Sequence, residues 1–398
     1  MNYPPLKKAT FLKTVLQLRS SFTIGVATPI RVLMVTCFFV SSHLQAQKAF
    51  LGFEPLSDTL VENKQGLFVL PLLYYTPDTR WAAGGAGVFY FRIPPKTKEQ
   101  KETRISFVQF LADYTQNQQF DAWGQWNIFT RDEDYLLQGE LRFRNFPDRF
   151  YGLGNNSLSS NEEKYAYNLV RLNSLMMKEI KQHLYAGLDY EIEYEYGLKY
   201  TTGGELEKGH ITGYKGGFGS ALGLVAALDS RDNIINPYTG TFAEVATYLF
   251  GQYVGGQFNF FKIDGVYQRY WQLRKHHILA TQTKLRITTG EVPFLDMSTA
   301  GDEDILRGYP ANRYRDNNFM ATQVEYRFPL FWRFGGVSFA GIGDVFNSVD
   351  DLRFDRIKYS VGGGLRFVIK PAERLNVRLD YGYGRHGGEF YFAVKESF

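Results

Sequence analysis

From residue 66 to the end of the chain, apolar and polar residues alternate with a period of two, and no segment sustains the 3.6-residue repeat of an amphipathic helix. Gly, Asn, Asp and Pro interrupt the alternation at regular intervals, which predicts strands joined by turns. The segments begin with Gly66–Thr76, Trp81–Ile93, Thr103–Tyr114, Gln119–Thr130, Tyr135–Phe146, Tyr165–Lys178, His183–Tyr200 and Gly213–Asp229. They continue with Thr241–Tyr253, Gln257–Leu273, Lys275–Thr289, Phe319–Leu330, Gly335–Phe346, Ile357–Ile369, Arg374–Tyr383 and Glu389–Phe398, which makes sixteen. Their spacing suits membrane-crossing strands of ~9–11 residues joined by alternating short turns and longer loops.

The two faces differ in chemistry. Val377, Leu379, Tyr381 and Tyr383 alternate with Asn376, Arg378, Asp380 and Gly382, and Leu279, Leu285 and Ile287 stand opposite Gln282, Lys284 and Arg286. In the strand ending at Leu330, Thr322, Val324, Tyr326 and Phe328 point one way while Gln323, Glu325 and Arg327 point the other. A soluble sandwich also alternates, but its apolar face is a core shared by two sheets. A β-propeller would repeat every ~40–50 residues, and no such repeat is present. A closed barrel leaves no unpaired edge in lipid. The expected fold class is therefore all-β, a 16-stranded antiparallel transmembrane β-barrel.

Between the eleventh and twelfth segments lies the longest interruption, residues 301–318, Gly- and Pro-punctuated and charged. Connections of this length are usually functional or disordered. Ile305, Leu306, Tyr309, Tyr314 and the following Phe319 are more apolar material than a solvated linker requires.

Arg307-Gly308-Tyr309, then Arg315-Asp316, then a strand carrying Glu325-Tyr326-Arg327-Phe328-Pro329-Leu330, all upstream of a C-terminal Phe, resembles the sixth-loop signature of the BamA/TamA barrel family, the bacterial surface antigens. The resemblance implies an inward-folded loop between strands 11 and 12, with an Arg-Gly-aromatic tip whose Arg pairs with acidic wall groups. Arg307, Gly308 and Tyr309 are then the anchor and Glu325 the expected acceptor. Asp316, Asp344 and Asp380 are weaker acceptor candidates, and Arg315, Arg327 and Phe339 complete the loop and wall. Many relatives carry an Asp where Gly341 stands here, so one expected partner is missing; Gly341 and Gly343 beside Phe339 leave room for the loop backbone.

Composition agrees with a barrel. With 45 Lys+Arg against 41 Asp+Glu the net charge is only +4, without the concentrated basic field of a nucleic-acid binder. Aromatics make up 17% of the residues, with 27 Tyr and 34 Phe, and the mean hydropathy is −0.28. A helical membrane protein would be far more apolar. A polar interior, an apolar outer surface and aromatic girdles account for both figures.

Residues 1–47 read as a signal peptide: Lys7, Lys8, Lys13, Arg19 and Arg31 precede the apolar run Val32–Val40 and a small-residue region near Ala46-Gln47. The alternative, a membrane anchor, needs ~20 apolar residues. Cys37, the single cysteine, lies in this leader, so residues 66–398 hold no disulfide framework. Residues 48–65 read as a short periplasmic connector, without room for the POTRA modules that usually precede such barrels, and residues 66–398 as the outer-membrane barrel. Asp229–Gly240 resembles the family's periplasmic turn of Asp, Arg, Asn, Pro and Gly. Its residues cap turns, and with Asp302-Glu303-Asp304 it is the place where a calcium ion would be considered.

The final segment carries Phe390, Phe392, Val394 and Phe398 on one parity, as in the assembly signal of outer-membrane barrels, with Glu396 out of pattern. Pro71 in the first strand and Phe398 in the last would meet at the seam; Pro71 reads equally as a strand-end kink. No nucleophile elbow, phosphate loop, dinucleotide fingerprint or zinc signature is present. His276 and His277 are adjacent and on a strand would face opposite ways. No cofactor is expected and the chain is read as not an enzyme, although catalytic groups assembled across strands leave no trace in sequence.

The functional expectation, implied by the resemblance, is insertion or translocation of proteins or lipid at the outer membrane through a lateral seam. A passive or ligand-specific pore and a structural surface antigen are the alternatives. Expected partners are outer-membrane lipids, nascent outer-membrane or secreted proteins and assembly-machinery components, and no nucleic acid.

Overall fold

A computed structural model describes residues 65–398 apart from 77–79, 95–102, 104–105, 235, 302, 372–373 and 386. The expected leader, with Cys37, and all but the last residue of the expected connector lie outside the described residues, as does Asp302.

The chain runs through β1 (Gln65–Thr76), β2 (Arg80–Phe91), β3 (Ser106–Thr115), β4 (Phe120–Phe129), β5 (Tyr135–Phe150), β6 (Glu163–Lys181), β7 (Leu184–Tyr200), β8 (Gly217–Asp229) and β9 (Gly240–Phe250). It continues through β10 (Phe260–Arg274), β11 (His277–Gly290), β12 (Ser298–Ala300), β13 (Tyr314–Asp316), β14 (Asn318–Phe331), β15 (Phe334–Phe346), β16 (Lys358–Lys370), β17 (Leu375–Gly384) and β18 (Gly387–Val394). Sixteen of these form one sheet in chain order, each paired with the next, and β12 and β13 form a separate two-stranded ladder inside the long connection. Every ladder is antiparallel, as the hairpin connections demand. No α-helix occurs among the described residues.

Most of the long connections gather at one end of the sheet. At the other, strands are joined by turns as tight as 182–183, 275–276 and 332–333, which place His183, His276 and Trp332 at positive φ. The long connections of the first end are 151–162, 201–216, 251–259, 291–317 and 347–357. The sheet curls strongly, because side chains from strands far apart in order meet on one face. Arg374, between β16 and β17, reaches Asp232, between β8 and β9, at 2.6 Å. Asn312 of the long connection reaches Asp148 of β5 at 2.8 Å.

That concave face is polar and charged, with Asp189, Glu193, Gln282, Gln323, Glu325, Arg366 and Asp380 all buried. The convex face is apolar and open, with Leu188, Leu222, Leu224, Val245, Leu249, Val324, Ile342, Leu365 and Leu379 exposed. An exposed apolar area this continuous is not that of a soluble monomer; it is a surface solvated by lipid.

β1 and β18 are the edges of the sheet, and no ladder joins them among the described residues. Pro71 stands opposite Gly85 of β2, on an edge strand where a missing N–H is tolerated.

Several boundaries differ from expectation. The eighth strand starts at Gly217 rather than Gly213, because Gly213 and Gly216 adopt left-handed φ of 76° and 77° and turn the chain. The long connection begins at residue 291, well before 301, and builds its own short ladder. The last strand stops at Val394 rather than Phe398. Lys395 takes a φ of 71°, and Glu396 turns inward to Arg366 at 2.7 Å. Phe398 is therefore not a seam residue. It is buried on the concave face with Tyr270, Ile278 and Ala280, and its main-chain oxygen accepts from Arg327 Nη2 at 2.7 Å. A carboxylate on the expected outward parity cannot stay in lipid, and its inward pairing carries the phenylalanine with it.

Leu224 lies mid-strand in β8 and is 64% exposed. Leu224→Arg is expected to destabilise the protein by about 2–4 kcal/mol in phospholipid vesicles, read by urea titration of tryptophan fluorescence. An effect of a few tenths would place that face in water.

Candidate functional site

The long connection between β11 and β14 lies on the concave face. Ile305, Leu306, Tyr309 and Tyr314 pack with Ala300, Phe319, Ala321 and Val345 in a buried cluster. These are the apolar residues that set the segment apart from a solvated linker. Leu306 adopts a φ of 55° although it carries a side chain, a strain that the packing around it must sustain.

At the tip, Arg307 is fully buried. Its Nη2 donates to Glu325 at 2.6 Å and its Nη1 to Asp380 at 2.7 Å, while the guanidinium lies 3.5 Å from the centre of the Phe339 ring. Each carboxylate is shared. Arg327 reaches Glu325 at 2.8 Å, Arg378 reaches Asp380 at 3.2 Å, and Arg366 bridges Asp380 and Glu396. Arg378 also reaches Glu303 of the loop at 3.1 Å. Four guanidiniums thus face four carboxylates, in surroundings where an unpaired charge is costly.

The backbone of the tip is held as firmly as its charge. Gly308 has a φ of 114°, and a Cβ there would stand 2.7 Å from the main chain of Gly382 and Tyr383. Glycine at both 308 and 382 is what lets the loop lie against β17. The Gly308 N–H donates to the Tyr391 hydroxyl of β18 at 2.8 Å, and that hydroxyl donates to the Tyr309 carbonyl at 3.3 Å. Ser360 of β16 donates to the Arg307 carbonyl. Tyr309 donates to the Tyr359 carbonyl at 2.8 Å and accepts from the Arg385 N–H at 3.2 Å. Burial raises its phenol above the ordinary value, so it remains a neutral hydroxyl able to do both.

Asp380, ranked behind Glu325 from sequence, is a full partner of Arg307. Asp344 and Asp316 are not partners: Asp344 pairs with Lys358 at 2.7 Å, and Asp316 accepts from the Asn317 N–H at 2.8 Å. Arg315 turns away from the tip and is buried against Phe294 and Tyr165. Gly341, where an acidic residue was missed, is compensated from β17 rather than from β15. Tyr391, Ser360 and Arg366 went unnoticed in sequence, and Arg378, placed with Asp380 on the inward face by parity, was not assigned to the tip. The turn after β8 is capped from within: Asp232 accepts from the N–H groups of Tyr238 and Thr239 at 2.9 and 3.1 Å.

A continuous antiparallel sheet of sixteen strands in chain order, charged within and apolar without, is the architecture of bacterial outer-membrane barrel proteins. Residues 217–398 match the Omp85 superfamily domain. Over those residues the chain carries an Omp85 superfamily domain, and its sheet has a fold similar to that of BamA-type proteins. Among solved structures it is similar to BamA from Haemophilus ducreyi lacking POTRA domains 1–3, at a TM-score of 0.54 and 13% identity, covering 83% of this chain and 69% of that one. It is also similar to CdiB from Acinetobacter baumannii, at a TM-score of 0.52 and 11% identity, covering 83% of this chain and 60% of that one. No curated protein matches the sequence significantly.

Arg307→Ala leaves Glu325 on Arg327 alone and Glu325→Ala leaves Arg307 on Asp380 alone, so each unbalances a dry cluster and is expected to cost up to roughly 3–5 kcal/mol. The double variant should cost less than their sum, because it removes one charge of each sign and restores the balance that each single truncation upsets. Urea titration and heat-dependent gel mobility of all three variants check this. Additive losses would mean the two side chains do not share one dry site.

Proposed function

We propose that the protein inserts or translocates other proteins at the outer membrane, and that its working parts are the β1/β18 edges and the arginine-tipped loop latched to one of them. The observation that carries this reading is that the loop tip is bonded to the edge strand β18 through Tyr391, while no ladder joins β18 to β1 among the described residues. An unpaired edge offers N–H and C=O groups to an incoming strand, which is how sheets recruit extended peptides. β18 has only eight residues and β1 carries Pro71, so a ladder between them would be weaker than those elsewhere in the sheet. In this reading the barrel closes between β1 and β18, the long connections face the cell exterior, and the Arg307 loop occupies the lumen. The clients are nascent outer-membrane or secreted proteins, met in the company of outer-membrane lipid and assembly-machinery partners.

The occupied interior speaks against a freely conducting pore. Arg307, Glu325 and Asp380 fill with side chains and ion pairs the space an open channel would leave to water.

Two measurements test this. A disulfide engineered between β1 and β18 should block assembly of client proteins in cells while leaving the protein itself folded. Unaffected client assembly would overturn the proposal. In planar bilayers the protein should show small, flickering conductance, and Tyr391→Phe, which removes the hydroxyl that holds Gly308, should lengthen the open bursts. A large, steady conductance in the unaltered protein would favour the pore.

A further inference from the structure

At the long-loop end of the sheet, away from the Arg307 network, the connections 151–162 and 291–317 and the turn after β17 enclose a cavity of about 340 Å³. Its lining holds two guanidiniums, those of Arg313 and Arg385, with the hydroxyls of Ser157, Ser159 and Ser160 and the side-chain amide of Asn156, and it includes no carboxylate. Arg313 is 3% exposed, and its hydrogen bonds go to neutral oxygens alone: Ser157 Oγ at 3.0 Å, the Ser157 carbonyl at 2.7 Å and Ser159 Oγ at 3.2 Å. The guanidinium is stacked between Tyr151 at 4.6 Å and Tyr314 at 4.4 Å.

The acidic groups around this cavity are committed elsewhere. Asp344 pairs with Lys358 at 2.7 Å, Glu162 with Arg149 at 3.6 Å, and Asp355 with Arg353 at 3.2 Å. Arg385 gives one nitrogen to the Asp355 carbonyl at 2.7 Å and stands at the exposed rim. A buried cation held by neutral groups alone is otherwise unusual, since burial without a counter-charge is costly. Rings and carbonyls offset part of that cost. A hydroxyl that accepts from a guanidinium keeps its own hydrogen to donate, so Ser157 and Ser159 present polarised donors beside two cations. Guanidinium pairs with flanking hydroxyls match the geometry of a tetrahedral oxyanion.

We propose that this cavity is a binding site for a phosphate-type oxyanion, with Arg313 as its buried charge and Arg385 as its rim charge. The ligand is either free phosphate or the phosphorylated headgroup of a lipid; both present the same group to the same donors. The proposal is independent of the client reading above, since it concerns neither the seam nor the Arg307 network.

The test is isothermal titration calorimetry on the folded full chain in uncharged detergent, with inorganic phosphate against a chloride-matched control, followed by phosphate titration in the presence of lipopolysaccharide or its dephosphorylated form. Saturable heat with phosphate is expected, and Arg385→Gln and Ser159→Ala should each weaken it by about tenfold, the scale of one charge-assisted contact. Arg313→Gln should abolish it, and if that variant does not fold, the other two decide. Competition by lipopolysaccharide but not by its dephosphorylated form identifies a headgroup ligand, and no competition identifies free phosphate. Absence of phosphate heat above the chloride control, or equal affinity in Arg385→Gln and Ser159→Ala, would overturn the site.

Discussion

A guanidinium taken out of water has to be met by acceptors, and this requirement organises the interior. Arg307 is carried inward by its own loop, so the wall has to supply charge where the tip lands. Glu325 comes from β14 and Asp380 from β17, and both are already committed to wall arginines. Such a network adds little net stability relative to an apolar core of the same volume. What it does is make one loop position far better than any other, because displacing the tip breaks several charged contacts together. Specificity of placement, rather than strength, is the physical role of the cluster.

The two faces of the sheet divide the labour. The outer face needs only to be apolar, and Leu, Val, Ile and aromatic residues all occur on it. The inner face has to balance charge across strands that are distant in the chain, so its residues constrain one another. A fold that rests on alternation rather than on individual side chains is compatible with only 11–13% identity to the similar solved structures.

The architecture was legible because a period of two is a local property. Each strand announces itself in about ten residues, and sixteen segments were enough to anticipate the sheet, with boundaries displaced mainly where glycines at positive φ turn the chain. The placement of Glu325 and Asp380 on one wall follows from the same parity. Which of them meets Arg307 does not, because that depends on curvature and on the reach of the loop. Gly341 shows the limit clearly: an acidic group missing from one strand was supplied by another, two strands further on. Phe398 shows a second limit. Parity was extended through Lys395 and Glu396, where a single left-handed residue and a buried carboxylate reversed the direction of the tail. Tyr391 carried no signal, since one more tyrosine among 27 is indistinguishable until its hydroxyl is seen against the loop.

The ordering of the ladders has a kinetic side. Each strand pairs with the one made just before it, so the sheet grows by local steps with short loops to close. Arg307 is different: its two acceptors lie 18 and 73 residues downstream. The nearer can be met once β14 is made, but the more distant cannot be in place until the seventeenth strand exists, so the cluster is completed late. Contacts that close late bear on how slowly the completed molecule comes apart more than on how quickly it forms.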